Sequence, residues 1–104
     1  MIAQAVTVAG IEADLYEVPV DTEFVSSTGI ACNTNETDAK VSLAVCPNGD
    51  ATEKKHYIYF EYPVPPHETL AYTFGLTLDA GCVVRVWSDS DNAVFQLYGK
   101  ERAV

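Results

Sequence analysis

The stretch Phe24 to Cys46, FVSSTGIACNTNETDAKVSLAVC, decides how this chain folds. Phe24, Ser26, Thr28, Ile30 and Cys32 recur on one side of an extended chain, and Val41, Leu43 and Val45 repeat the same period of two. Between these arms, Asn33-Thr34-Asn35-Glu36-Thr37-Asp38 carries side chains that hydrogen-bond to nearby backbone and so favour a turn. The pattern predicts two strands folded back on one another, a hairpin with a solvated tip.

Outward from the hairpin the same grammar continues. On the amino-terminal side, Ala13-Asp14-Leu15-Tyr16-Glu17-Val18-Pro19 holds a short strand bounded by Leu15 and the Pro19 region, because proline cannot donate to a ladder. Residues 1–12 carry the alternating Val6 and Val8, closed by Ala9-Gly10, and read as an edge strand or as an arm that pairs with a neighbouring subunit. On the other side, Pro47-Asn48-Gly49-Asp50 is a turn. His56 to Tyr62 is a strand with Ile58, Phe60 and Tyr62 on one face and Tyr57, Tyr59 and Glu61 on the other. Rings on both faces call for cover on both, one from the partner sheet and one from a neighbouring subunit. Pro63 to His67 is a stiff connection; Leu70, Tyr72, Phe74 and Leu76 alternate again. Cys82 to Ser88 and Ala93 to Gly99 flank Asp89-Ser90-Asp91-Asn92 and set Val84 and Val86 opposite Phe95 and Leu97.

Seven to eight short strands without a useful amphipathic helix predict an all-β chain: one antiparallel β-sandwich domain over 13–104, Ig-like or jelly-roll, with a small barrel as competitor. A chain of 104 residues holds one core and leaves no room for a separate catalytic module. Phe60, Phe74, Trp87 and Phe95 are the large side chains expected inside it, each worth roughly 1.5–3 kcal/mol when buried.

The net charge of −9, with no Lys or Arg before Lys40, repels phosphate and argues against nucleic acid and anionic membranes as partners. An acidic coat serves solubility; its other use is a docking face for a basic partner. The amino terminus lacks the positive start and unbroken apolar run of a signal peptide, and no stretch approaches the roughly 20 apolar residues of a membrane helix. The expected site of synthesis is therefore the cytoplasm. Cys32, Cys46 and Cys82 are odd in number and lack zinc spacing, so they read as buried thiols, although Cys32 and Cys46 end the two hairpin arms and would pair if those ends met.

Chemistry finds little footing. His56 and His67 lie beside polar or proline-rich connections in no metal spacing, and read as surface residues. Asp89-Ser90-Asp91-Asn92 offers alternate oxygens for calcium but lacks the glycine and distal glutamate of an EF-hand. No serine sits in a GxSxG turn, and the carboxylate pairs Asp21 with Glu23 and Glu36 with Asp38 fall on turns with no pocket to hold their pKa values apart. The expectation is no enzyme, no metal and no cofactor. Tyr57, Tyr59, Tyr62, Tyr72, Trp87 and Tyr98 leave a glycan-binding module open, since such rings stack on sugars, although tyrosines also serve cores and interfaces.

The ordered series Leu15-Tyr16-Glu17-Val18-Pro19, Val25 to Asn33, His56-Tyr57-Ile58-Tyr59, Pro63-Val64-Pro65-Pro66 with Glu68-Thr69-Leu70, and Leu78-Asp79-Ala80-Gly81 resembles small β-sandwich accessory proteins of tailed-bacteriophage virions. Two places depart from it: Pro19-Val20-Asp21-Thr22 replaces a Pro-Ala-Gly-Thr turn, and Cys82 stands where an Asp commonly follows Ala-Gly. The resemblance implies a non-enzymatic virion component, a capsid decoration or cement protein or else a tail, baseplate, collar or fibre-attachment part. Its partners would be the major capsid protein, other virion proteins and sister copies in a homo-oligomer. The residues expected to touch them are the outward aromatics Tyr57 and Tyr59 and the arm around Val6 and Val8.

Overall fold

In the computed structural model, which describes residues 2–73 and 75–104, the chain forms β1 (Ala3–Val6), β2 (Ala13–Glu17), β3 (Thr22–Asn33), β4 (Ala39–Cys46), β5 (Tyr57–Val64), β6 (Thr69–Thr73), β7 (Thr77–Leu78), β8 (Val83–Ser88) and β9 (Ala93–Ala103). Single 3-10 turns at Pro47–Gly49 and Lys54–His56 are the only helical pieces among the described residues. The strands make two antiparallel sheets, ordered β1-β9-β3-β6 with β7 also on β3, and β2-β8-β4-β5.

The expected hairpin is absent. β3 and β4 lie in opposite sheets, and the polar segment between them is an arch across the sandwich. Each arm has taken other neighbours: β3 pairs with β9 from Thr22↔Ala103 to Asn33↔Ala93, and β4 lies between β8 and β5. Facing sheets sit roughly 10 Å apart, which the residues between the arms span easily. β8 and β9 part in the same way, so Val84 and Val86 meet Phe95 and Leu97 across the core and not along a ladder. Every step between consecutive strands changes sheet except β4 to β5, which pair with one another, and β6 to β7, two pieces of one edge against β3. That wrapping is a double-sheet jelly roll.

Phe24, Phe95, Leu43, Leu97, Val41, Val84 and Val86 fill the space between the sheets. A bulge between Ser26 and Thr28, where β3 meets β9, changes the phase of β3. Phe24 and Ser26 therefore point inward before it, and Ala31 and Asn33 after it, while Ile30 and Cys32 are half-buried on the other face. Cys32 and Cys46 lie in opposite sheets, and all three cysteines are free thiols.

β5 departs furthest from its alternation. Its pairing with β4 runs Ala44↔Tyr57, Leu43↔Tyr59 and Val41↔Tyr62, with a register shift on each side of Leu43. The extra residues put Tyr57 and Tyr59 on opposite faces, so Tyr59 is no outward contact residue: it is 7% exposed and meets Tyr72 edge-on, with ring centroids 5.7 Å apart. Phe60, expected inside, is 59% exposed. Trp87 is half-buried on the outer face of its sheet, and Phe74 lies outside the described residues.

Burial pushes the Tyr59 phenol far above its ordinary pKa, and its hydroxyl is buried without a hydrogen-bond partner. An unsatisfied buried hydroxyl costs about 1–3 kcal/mol. Tyr59→Phe is therefore expected to raise stability by about 1 kcal/mol in urea unfolding; a destabilised variant would mean that the hydroxyl has a partner in solution.

Candidate functional site

The outer face of the β2-β8-β4-β5 sheet has one covered half and one open half. On the covered half Arg85, next to Ala44 in the ladder, gathers the segment after β4. Its guanidinium donates to Asp14 Oδ1 at 2.9 Å, Asp50 O at 2.6 Å and Gly49 O at 3.2 Å. That clamp holds the 47–52 segment down over Cys46.

The open half begins one pair further on, where Ser42 lies opposite Trp87. The shifted register of β5 brings Tyr57, Phe60 and Glu61 to the same side, and the five residues line a cleft of about 170 Å³. Glu61 has φ 47, a left-handed backbone that costs a non-glycine residue about 1–2 kcal/mol. Its N–H donates to Ser42 Oγ at 2.8 Å, which holds it there. The Tyr57 and Phe60 rings meet with centroids 4.7 Å apart and planes at 65°, forming an inner corner. Burial raises the Tyr57 phenol pKa, and the charges of Glu12, Cys46 and Glu61 raise it further.

Apolar side chains also line two opposite edges of the sandwich. At the β1 edge and the turn after it, Val6 is 60% exposed, Val8 58% and Ile11 57%. At the other side Phe60 and Tyr62 on β5 and Tyr72 on β6 are exposed. The structure thus places Val6 and Val8 on the surface at one edge, Tyr57 in the cleft and Tyr59 in the core. Ser42, Phe60 and Glu61 were missed as cleft residues, because only the shifted register of β5 collects them.

The remaining candidates have structural employment. Asp89 Oδ1 accepts the Lys40 N–H at 2.8 Å and Asp91 Oδ1 the Ala9 N–H at 2.7 Å, so both carboxylates tie loops together. No cluster of three metal-ligating residues occurs among the described residues. His56 is buried, against the surface position expected of it, and its Nδ1 accepts the Glu53 N–H at 3.0 Å in a capping box. Glu23 is held by Arg102, whose Nε lies 2.6 Å from Oε1. Burial, then the neighbouring Cys46 and Asp79, push the Cys82 thiol up, away from the thiolate a nucleophile needs.

Fold and site together define a jelly-roll sandwich with two apolar edges and one aromatic cleft. No family model matches the chain, and no curated protein matches it.

Proposed function

We propose that this domain is a non-enzymatic structural component of a tailed-phage virion, in the first place a head decoration or cement protein, that works by burying its apolar edges against its neighbours. The observation that carries the reading is the pair of edges: Val6, Val8 and Ile11 on one side, Phe60, Tyr62 and Tyr72 on the other. Open strand edges are templates for pairing, and proteins that stay apart blunt them with charge or proline. The β1 edge carries valine.

Geometry supplies a mechanism. Neighbours in the β1-β9-β3-β6 sheet are all antiparallel, so β1 and β6 run in opposite directions. A copy that sets its β1 beside another's β6 extends one antiparallel sheet, a head-to-tail contact that closes into a ring when the rotation permits. Repeated weak contacts on a lattice then supply avidity. Jelly rolls also occur in viral capsid and lectin domains, an analogy of fold and no more.

The test is association. Val6→Glu with Val8→Glu is expected to weaken self-association or binding to purified particles about tenfold or more in sedimentation, with an unchanged melting temperature, since both side chains are exposed. A wild-type chain that stays monomeric and ignores every virion part would sink the reading. Copy number per particle, high for a head lattice and low for a tail or baseplate part, separates head from tail.

A further inference from the structure

We propose that the cleft between Tyr57, Phe60 and Trp87 is a receptor for an alkylammonium group, the side chain of a lysine on the protein against which the sandwich docks. The source of that lysine rests on the assembly reading; the chemistry of the cleft does not.

Shape favours a compact cation over a sugar. A pyranose lies flat on one ring, whereas Tyr57 and Phe60 meet at 65° and Trp87 lines the same hollow. Angled walls enclose a small rounded head. At about 30 Å³ per water in the liquid, the volume of about 170 Å³ equals about five or six waters, the size of a short alkylammonium and too small for an oligosaccharide.

Charge points the same way. Aromatic faces carry the negative end of the ring quadrupole and attract ammonium groups, which is how aromatic cages work. Glu61 adds a formal charge at the wall. The ion pairs among the described residues join Lys55 to Glu53, Arg85 to Asp14 and Arg102 to Glu23, so none of them neutralises Glu61. The strained backbone at Glu61, pinned through Ser42, sets this acidic residue in the cleft lining with the rings. A chain of net charge −9 adds a field that draws cations and repels anions.

Position identifies the occupant. Phe60 belongs both to the cleft and to the apolar β5 edge with Tyr62, so whatever covers that edge passes over the cleft mouth. A basic partner would seat a lysine there as it buries the edge.

Trp87 is the only tryptophan, and its fluorescence reports on the cleft directly. Intact protein would be titrated with n-butylammonium chloride against sodium chloride of equal ionic strength, with 1-butanol and methyl β-glucoside as the neutral probes. A saturable change with the ammonium is expected, at least tenfold weaker with butanol. Phe60→Ala should weaken it about fivefold and Glu61→Gln about threefold, both variants keeping the wild-type melting temperature. Equal binding of butanol, indifference to both substitutions, or saturation by the glucoside alone would overturn the proposal, the last reassigning the cleft to glycans. Because no particle enters the titration, failure here leaves edge association standing. A positive titration with no particle binding would keep the ammonium site and withdraw the docked protein as its source.

Discussion

Gly99→Ala is expected to cost about 3 kcal/mol, the upper end of what overpacking a core does. Gly99 lies in β9 opposite Ser26, where β3 bulges, and a Cβ there would fall on Phe24 Cζ, 2.6 Å from Phe24 Cε1 and 2.5 Å from the Val25 carbonyl oxygen. The ring cannot retreat, because Phe24 is fully buried, and the carbonyl belongs to the backbone of a central strand. Either β9 separates from β3 at its bulge or Phe24 leaves its rotamer. For a domain near 100 residues this corresponds to a drop of about 10–20 °C in melting temperature. Phe24→Leu in the same chain should recover part of the loss and leave the part owed to Val25, a non-additive cycle typical of touching residues. A loss below about 1 kcal/mol in urea unfolding would mean that the two strands are not held this close.

The close approach at Gly99 shows what local sequence withholds. Period-two runs such as Val41, Leu43 and Val45 announce strands because a sheet face must be either wet or dry, and those strands are present. Partnership is another matter: Asn33 to Asp38 and Asp89 to Asn92 have the composition of hairpin tips, and the same polar residues serve equally to carry the chain from one sheet to the other. Nothing local to 24–46 says that β9, some fifty residues further on, outcompetes β4 for β3. Bulges are equally silent. The register shifts around Leu43 move Tyr59 into the core and bring Phe60 and Glu61 out to the cleft, so the aromatic weight of β5 was legible and its distribution was not. The one sequence cue was the presence of large rings on both faces of that strand, which a regular strand could bury only under two covers.

Asn33→Ala should destabilise the chain by about 3–4 kcal/mol, through orphaned carbonyls more than through lost volume. Asn33 is fully buried at the point where β3 enters the arch. Its Nδ2 donates to Thr37 O at 2.8 Å and Val64 O at 3.0 Å, with Pro65 O at 3.3 Å, and its Oδ1 accepts the Asn35 N–H at 3.0 Å. One side chain thus folds the arch onto itself and ties the end of β3 to the end of β5 in the opposite sheet. Alanine leaves the buried Val64 carbonyl and the part-buried Thr37 and Pro65 carbonyls without that donor, at about 1–3 kcal/mol for each group that water does not reach. Asn33→Asp separates hydrogen bonding from size. Its carboxylate would face the carbonyl oxygens of Thr37 and Val64 with no water to soften the repulsion, so burial and repulsion raise its folded pKa above the unfolded value near 3.9. A raised folded pKa means that the native state binds the extra proton. The variant, measured against wild type, is therefore most stable below the unfolded pKa, where a protonated acid still donates one hydrogen bond, and it loses that stability as pH rises through the folded pKa. Urea midpoints of both proteins between about pH 3 and pH 7 test this, and a difference that is flat across the range would show that the Asn33 side chain does not face those carbonyls.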